Sequence, residues 1–324
     1  MSSLGPAAST VVRQCLGVKT GEGVLVIVDP ATREIGEALR VEAAAAGADA
    51  VLAVMDERAT DGTEPPRALA AALSESDVYI APTSRSLSHT VARKRASDAG
   101  ARGATMPGVT ADMLGRAMAL DFAQMAARSR TLAGVLSEAS EARVTCPRGT
   151  DFTLELAGRS GIADDGDLTA PGAFGNLPCG EAFIAPMGGE GTIVTASLSP
   201  LGLSDPPGVL TVVGGRIVDA EQGRGPEYIE LLRAHGELGT NLAELGIGTN
   251  DAATLTGNVL EDEKILGTVH VAFGASQGIG GTVSVPIHLD VVITDASLQV
   301  GSTTVLDQGR WVLATDGDGG PDRD

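Results

Sequence analysis

Residues 23–55, GVLVIVDPATREIGEALRVEAAAAGADAVLAVM, decide the fold class. GVLVIVD is an apolar run of strand length, ATREIGEALRVEAAAAG has helical spacing and ends on a glycine, and ADAVLAVM is a second apolar run. Strand, helix and strand in that order make a βαβ unit, whose strands lie parallel. The rhythm continues outward: PPRALAAALSES reads as a helix, DVYIAPT as a strand, SLSHTVARKRASDAG as a helix and GATMPG as a short strand or turn. ADMLGRAMALDFAQMAARSRTLAGVLSEA then predicts a long helical region. Residues 1–140 are therefore expected to form an open α/β layer with a mainly parallel sheet.

From ARVTCPRGTDFTLELAG onward the texture changes to short alternating segments separated by Gly, Pro and Asp turns. GTIVTASLS, GVLTVVGGRIVDAE, TVHVAF and TVSVPIHLDVVITD read as strands, and GPEYIELLRAHG and AATLTGNVLEDEKIL as helices between them. Residues 141–315 are expected to form a mostly β (α+β) domain, and residues 316–324, acidic and turn-rich, a flexible tail.

Composition removes several function classes. A net charge of −19 over 324 residues argues against a nucleic-acid partner, since phosphate backbones need clustered Lys and Arg. The longest basic cluster, Arg93, Lys94 and Arg95, reads as the polar face of a helix. No segment is long and apolar enough to span a bilayer, and no basic leader precedes an apolar stretch, so no membrane partner is expected and a cytoplasmic location is the default expectation. Cys15, Cys146 and Cys179 are too scattered for a disulfide framework and read as small buried side chains. HVAFGASQGIGG looks like a dinucleotide-binding glycine loop, but a strand pattern resumes after it where a helix is required, and no Tyr-x-x-x-Lys pair exists. The glycines read as a tight turn instead.

Five potential metal ligands follow one another in the second half: Glu181 in NLPCGEAFIAP, Glu244 in NLAELGIGTN, His270 in LEDEKILGTVH, and His288 and Asp290 in IHLD. Carboxylates mixed with imidazoles suit zinc, cobalt, manganese or iron, and five of them suffice for two ions. Residues two apart on a strand point to the same face, so one ion can touch both His288 and Asp290. Taken singly, each has an ordinary structural reading, a hydrogen-bonded core histidine or a solvated glutamate. Together they lie in apolar or glycine-rich stretches, where an unpaired charge is costly. Other polar residues read as structural: Cys179 as turn packing, His89 as a helix-start residue, His235 at a helix C-terminus, Glu261, Asp262, Glu263 and Lys264 as a solvated helix face, and Asp164, Asp165 and Asp167 as a turn.

NLPCGEAFIAP, AELGIGTN, LEDEKILGTVHVAFG and HLD, in that order, resemble the motifs of the thermophilic metalloaminopeptidases, the aminopeptidase T family. The likeness is most specific from Arg143 to Asp295, while SLSHTVAR and ATMPGVT look like the shorter relatives. The resemblance implies a two-domain subunit in a homodimer. It also implies two divalent ions (zinc, cobalt or manganese) on Glu181, Glu244, His270, His288 and Asp290, and a peptide or small amide substrate with a free α-amino group. A metal-activated water would attack the carbonyl and a carboxylate would carry its proton to the leaving amine, with Glu244 favoured over Glu181 for that role.

One departure weakens the likeness: Gln277 stands where the larger members carry a tyrosine seven residues after the ligand histidine, and the interval from His270 to His288 is shorter. A second class is similar in overall organisation, the iron-dependent ring-cleaving dioxygenase acting on 2,5-dihydroxypyridine. It needs a single iron(II), for which His270, His288 and Asp290 form a two-histidine, one-carboxylate set. The retained Glu181 and Glu244 put the aminopeptidase first. A third class is a metal-binding protein that keeps the ligands for stability.

Overall fold

The structure, a computed structural model, describes residues 4–315, so the expected tail at 316–324 lies outside the described residues. The chain divides into two compact units, Met1–Leu120 with Gly166–Cys179, and Asp121–Asp165 with Gly180–Asp324.

In the first unit α1 (Leu4–Ser9) runs into a π-helical turn at Thr10–Cys15. There follow β1 (Gly23–Val28), α2 (Arg33–Ala45), β2 (Asp49–Val54), α3 (Arg67–Ser74), β3 (Val78–Ala81), α4 (Val91–Asp98), β4 (Arg102–Thr105) and α5 (Ala111–Ala117). The sheet order is β2-β1-β3-β4-β8, where β8 is Phe174–Asn176, and every pair is parallel. β1 and β3 are buried almost throughout, which is why they read as continuous apolar runs rather than alternating ones. Thr90 and Thr110 start α4 and α5 by accepting from the amides of Arg93 and Met113, as N-cap side chains do. One buried cation fastens this unit. The Arg102 guanidinium donates to both carboxylate oxygens of Glu22, at 3.0 and 2.7 Å, and to the carbonyls of Leu16 and Gly17.

The boundary expected near residue 140 lies instead at Leu120/Asp121. The long helical region is two helices: Asp121 accepts from the amides of Ala123 and Gln124 and so starts α6 (Phe122–Glu138). That helix belongs to the second unit, where Leu132, Ala133 and Leu136 join the core. The excursion Gly166–Cys179 supplies β8 to the first sheet. Its strand is three residues long and glycine-containing, too short for a periodic signal.

The second unit is built on one thirteen-stranded sheet. Its strands are β5 (Glu141–Thr145), β6 (Asp151–Glu155), β7 (Ile162–Asp164), β9 (Glu181–Ile184), β10 (Gly188–Leu198), β11 (Gly202–Val213), β12 (Arg216–Glu221), β13 (Leu242–Gly248), β14 (Val269–Gly274), β15 (His288–Ile293), β16 (Ser297–Val300), β17 (Thr303–Asp307) and β18 (Arg310–Trp311). The path is β18-β17-β16-β5-β6-β10-β15-β14-β13-β9-β7, and the hairpin β11-β12 joins through β10. All of these pairs are antiparallel. α7 (Gly225–Arg233) buries Tyr228, Ile229 and Leu232 in the core. The helix expected over AATLTGNVLEDEKIL shrinks to α8 (Val259–Asp262), started by the Asn258 side chain.

Candidate metal centre

Four adjacent antiparallel strands, β9, β13, β14 and β15, carry the five sequence-predicted residues, and strand alternation sorts their side chains. Leu245 and Ile247 of β13, Val269, Val271 and Phe273 of β14, Val291 and Ile293 of β15, and Ala182 and Ile184 of β9 all enter the apolar core. The intervening positions face the other way and hold the polar residues. Opposite each of them in the register stands a small residue. Glu181 pairs with Gly248, His270 with Gly246, Glu244 and Asp290 both with Ala272, and His288 with Gly274. Cross-strand partners share a face, so the small residues leave the volume that the carboxylates and imidazoles fill. Gly246 is the clearest case: a Cβ there would overlap Nε2, Cε1 and Cδ2 of His270.

β13 also carries a register shift. Leu242 pairs with Phe273 and Glu244 with Ala272, two residues apart on one strand against one on the other. A bulge of this kind re-aims a side chain, and here Leu242 keeps to the core while Glu244 turns to the polar face.

The structure brings all five together. His270 Nε2 lies 3.1 Å from Glu181 Oε2 and 3.6 Å from Glu244 Oε1, and His288 Nε2 lies 3.1 Å from Glu244 Oε2 and 3.8 Å from Asp290 Oδ1. His288 Nδ1 donates to the Ala275 carbonyl at 2.7 Å, which turns Nε2 toward the carboxylates, as a second hydrogen bond fixes a ligand histidine. His270 is fully buried, yet neither of its ring nitrogens has a hydrogen-bond partner, and Glu181 Oε2 lacks one too; the 3.1 Å approach is misaligned for a hydrogen bond. Leaving such groups unsatisfied costs about 1–3 kcal/mol each. A cation between them would satisfy both. Among the described residues three groups have ligand atoms close enough to share an ion: Glu181, Glu244 and His270; Glu244, His288 and Asp290; and Glu263, His270 and Asp290. Both imidazoles therefore lie in reach of both Glu244 and Asp290.

Glu263, Lys264 and Asp164 are the residues that reading the sequence misses. In place of a solvated helix face, Glu261, Asp262 and Lys264 are buried. Glu261 accepts from Thr254, Asp262 accepts from Ser197 Oγ and the amides of Thr256 and Gly257, and Lys264 Nζ donates to Glu181 Oε1 at 2.5 Å and Glu263 Oε1 at 2.7 Å, with Asp164 Oδ2 at 3.7 Å. Their apolar flanks, Val259 and Leu260 before and Ile265 and Leu266 after, were the available sign. Gln277 sits exposed on a 3-10 turn, Gln277–Ile279. Cys179 is buried, and His89 and His235 are exposed.

The electrostatics follow from burial against proximity. Burial pushes the Glu244 carboxyl up, but His270 and His288 outweigh it and hold the group far below the carboxylate range. Glu181 is likewise lowered, with Lys264 and then His270 overcoming burial. Burial dominates at Glu263, raised to about 8 against the pull of Lys264, and at Asp164, raised to about 7. Burial pushes both imidazoliums down, yet the flanking carboxylates reverse this: His288 rises to about 10 through Glu244 and Asp290, and His270 well above its ordinary value through Glu181 and Glu244.

A model of the family described as NicX: 2,5-dihydroxypyridine 5,6-dioxygenase matches residues 6–313. The chain belongs to that family. A search of curated proteins finds no match. Among solved structures, the 2,5-dihydroxypyridine dioxygenase of Pseudomonas putida KT2440 superposes with a TM-score of 0.80 at 17% identity, covering 96% of this chain and 97% of that one. Wild-type AmpT of Thermus thermophilus superposes with a TM-score of 0.70 at 19% identity, covering 96% and 99%. At these identities the two likenesses establish the fold, which both proteins share. The family match favours the ring-cleaving oxygenase over the aminopeptidase that the motifs put first, and either way the chain is an enzyme. Among the described residues no helix is long and apolar enough to cross a membrane.

Proposed function

We propose that this enzyme is an iron(II)-dependent dioxygenase that opens the ring of 2,5-dihydroxypyridine or a closely related hydroxylated pyridine. The observation that carries the reading is the family match over residues 6–313, supported by the unpartnered His270 nitrogens in a pocket of nitrogen and oxygen donors. His270, His288 and Asp290 would hold the ion, with Glu244 beside both imidazoles. Bound there, iron(II) would supply coordination positions for oxygen and for the hydroxylated ring.

The protein side of the chemistry falls to a few residues. His288 presents Nε2 because its Nδ1 proton is tied to the Ala275 carbonyl. Glu244, which lies beside both imidazoles, can accept a hydrogen bond from a ring hydroxyl and so orient the ring. The apolar face of β13, β14 and β15 packs behind the pocket and keeps bulk water from that side. His288 is the most exposed of the five, its side chain 27% accessible, so the ring enters from its side.

A second reading, the two-ion aminopeptidase, has one observation in its favour: two of the candidate groups share Glu244, as a bridging carboxylate would. One experiment separates the two. Protein reconstituted anaerobically with iron(II) is given 2,5-dihydroxypyridine and oxygen, and zinc-, cobalt- and manganese-loaded samples are given aminoacyl anilides. Oxygen uptake matched one to one by loss of the pyridine absorbance is the expected result. Anilide hydrolysis without oxygen uptake would overturn it.

A further inference from the structure

We propose that Tyr228 is a positioning residue for the metal centre: from the apolar side of the sheet its hydroxyl fixes the peptide plane that aims Asp290. The inference rests on Asp290 as a metal ligand, which both enzyme readings share, and not on the reaction. The two candidate ligands of β15 are held differently. His288 is fixed through its own ring, since Nδ1 donates to the Ala275 carbonyl at 2.7 Å. Among the described residues no hydrogen bond reaches the Asp290 carboxylate, and its ion pair with His288 Nε2 is 3.8 Å long. The direction of Asp290 therefore depends on the backbone to either side of it.

That backbone is braced twice. The Tyr228 hydroxyl donates to the Leu289 carbonyl at 2.7 Å, and this carbonyl belongs to the planar peptide that joins Leu289 to Asp290. The carbonyl of Asp290 itself accepts from the Ser199 amide at 2.9 Å. With both flanking planes set, the Cα–Cβ bond of Asp290 is held toward the polar face. Tyr228 is suited to serve as a fixed point. It is fully buried, on the core side of α7 with Ile229 and Leu232, and its ring stands edge-on to Phe273, with centroids 6.4 Å apart and planes at 74°. Phe273 is the register partner of Leu289, between the pairs Gly274 with His288 and Ala272 with Asp290. The hydroxyl thus reaches β15 midway between its two ligands, from the face opposite to theirs.

The test uses neither oxygen nor substrate. Metal-free protein is titrated with cobalt(II), its affinity read by competition with a chromophoric chelator and the geometry of the ion by the ligand-field spectrum. Tyr228→Phe keeps the ring and removes only the hydroxyl. Cobalt affinity is expected to fall about tenfold with a changed spectrum, as when a group supporting a metal ligand is lost. Ile229→Val, its neighbour in the same core, is expected to lower the thermal midpoint and leave affinity and spectrum as in the wild type. In an Asp290→Asn background, loss of the hydroxyl is expected to change affinity by less than about twofold, because residues that act through one another do not add. Wild-type affinity and spectrum in Tyr228→Phe would overturn the proposal. So would an equal loss of affinity in Ile229→Val, or the full loss from Tyr228→Phe persisting in the Asp290→Asn background. If Asp290→Asn binds cobalt too weakly to titrate, the comparison of Tyr228→Phe with Ile229→Val decides the matter. A wild type that binds cobalt but fails to cleave the pyridine drops the reaction and leaves this inference standing.

Discussion

Arg102 and Lys264 are both buried cations, one in each unit, and they are neutralised in different ways. Arg102 meets one carboxylate, Glu22, and two backbone carbonyls, which use its guanidinium fork with no charge left over. Lys264 meets three carboxylates, Glu181, Glu263 and Asp164, and two of these also border His270. A buried charge matched one to one holds chain segments together. Several carboxyl groups around a buried ammonium, next to an imidazole without a hydrogen-bond partner, make a place that a further cation would complete.

The contrast can be broken most severely at Gly246. Gly246→Ala pushes a methyl group into the His270 ring, so metal affinity should fall by at least a hundredfold and ring cleavage with it, measured by competition with a chromophoric chelator. Unchanged affinity would mean that His270 does not border the ion.

Next in size is the structural cation. Arg102→Met leaves Glu22 without its partner, and breaking a buried pair in this way costs about 3–5 kcal/mol; the thermal midpoint should drop while bound metal per chain stays as in the wild type. The acid limb sharpens the point. Burial raises the Glu22 carboxyl, but Arg102 and the Lys19 amide hold it below its ordinary value of 4.5. With the folded pKa depressed, the pair's stabilisation is complete above 4.5 and is lost as pH falls through the folded value. The wild type should therefore lose more stability than Arg102→Met on acidification below pH 4.5, in denaturant melts across that range. Parallel acid limbs would show that the pair contributes nothing.

The smallest effect belongs to a pair with neither use. Arg143 and Asp151 are joined by two hydrogen bonds of 2.9 Å on the exposed face of β5 and β6, where water screens them. Arg143→Ala should leave the melting midpoint and the metal count unmoved, and a clear drop in either would contradict the distinction between buried and exposed charge.

Much of the site is legible in the sequence because strand alternation is a local signal. In TVHVAFG and IHLDVVI each polar residue sits between two apolar ones, so the side chains that share a face can be named before any fold is known. The parallel sheet of the first unit is legible for the same reason, through its continuous apolar runs. Lys264 and Glu263 are not, because a run of Glu, Asp and Lys ordinarily means solvent, and their burial depends on Asp164, Glu181 and Ser197, all distant in the chain. The bulge at Leu242/Glu244 is hidden too, since it shows only in the register against β14. The order of the two enzyme readings was not legible from the ligands at all. Glu181, Glu244, His270, His288 and Asp290 are compatible with one ion or two.

The space for the His270 ring is made by the absence of a side chain at Gly246, and that has a genetic consequence. Every glycine codon becomes an alanine codon by a single base change. The metal centre is therefore one point mutation from closure, while Leu245, Ile247 and Val271 behind it keep the sheet intact. A lineage carrying this fold can lose its chemistry and keep its scaffold in one step, with all five acidic and imidazole residues still present to suggest otherwise.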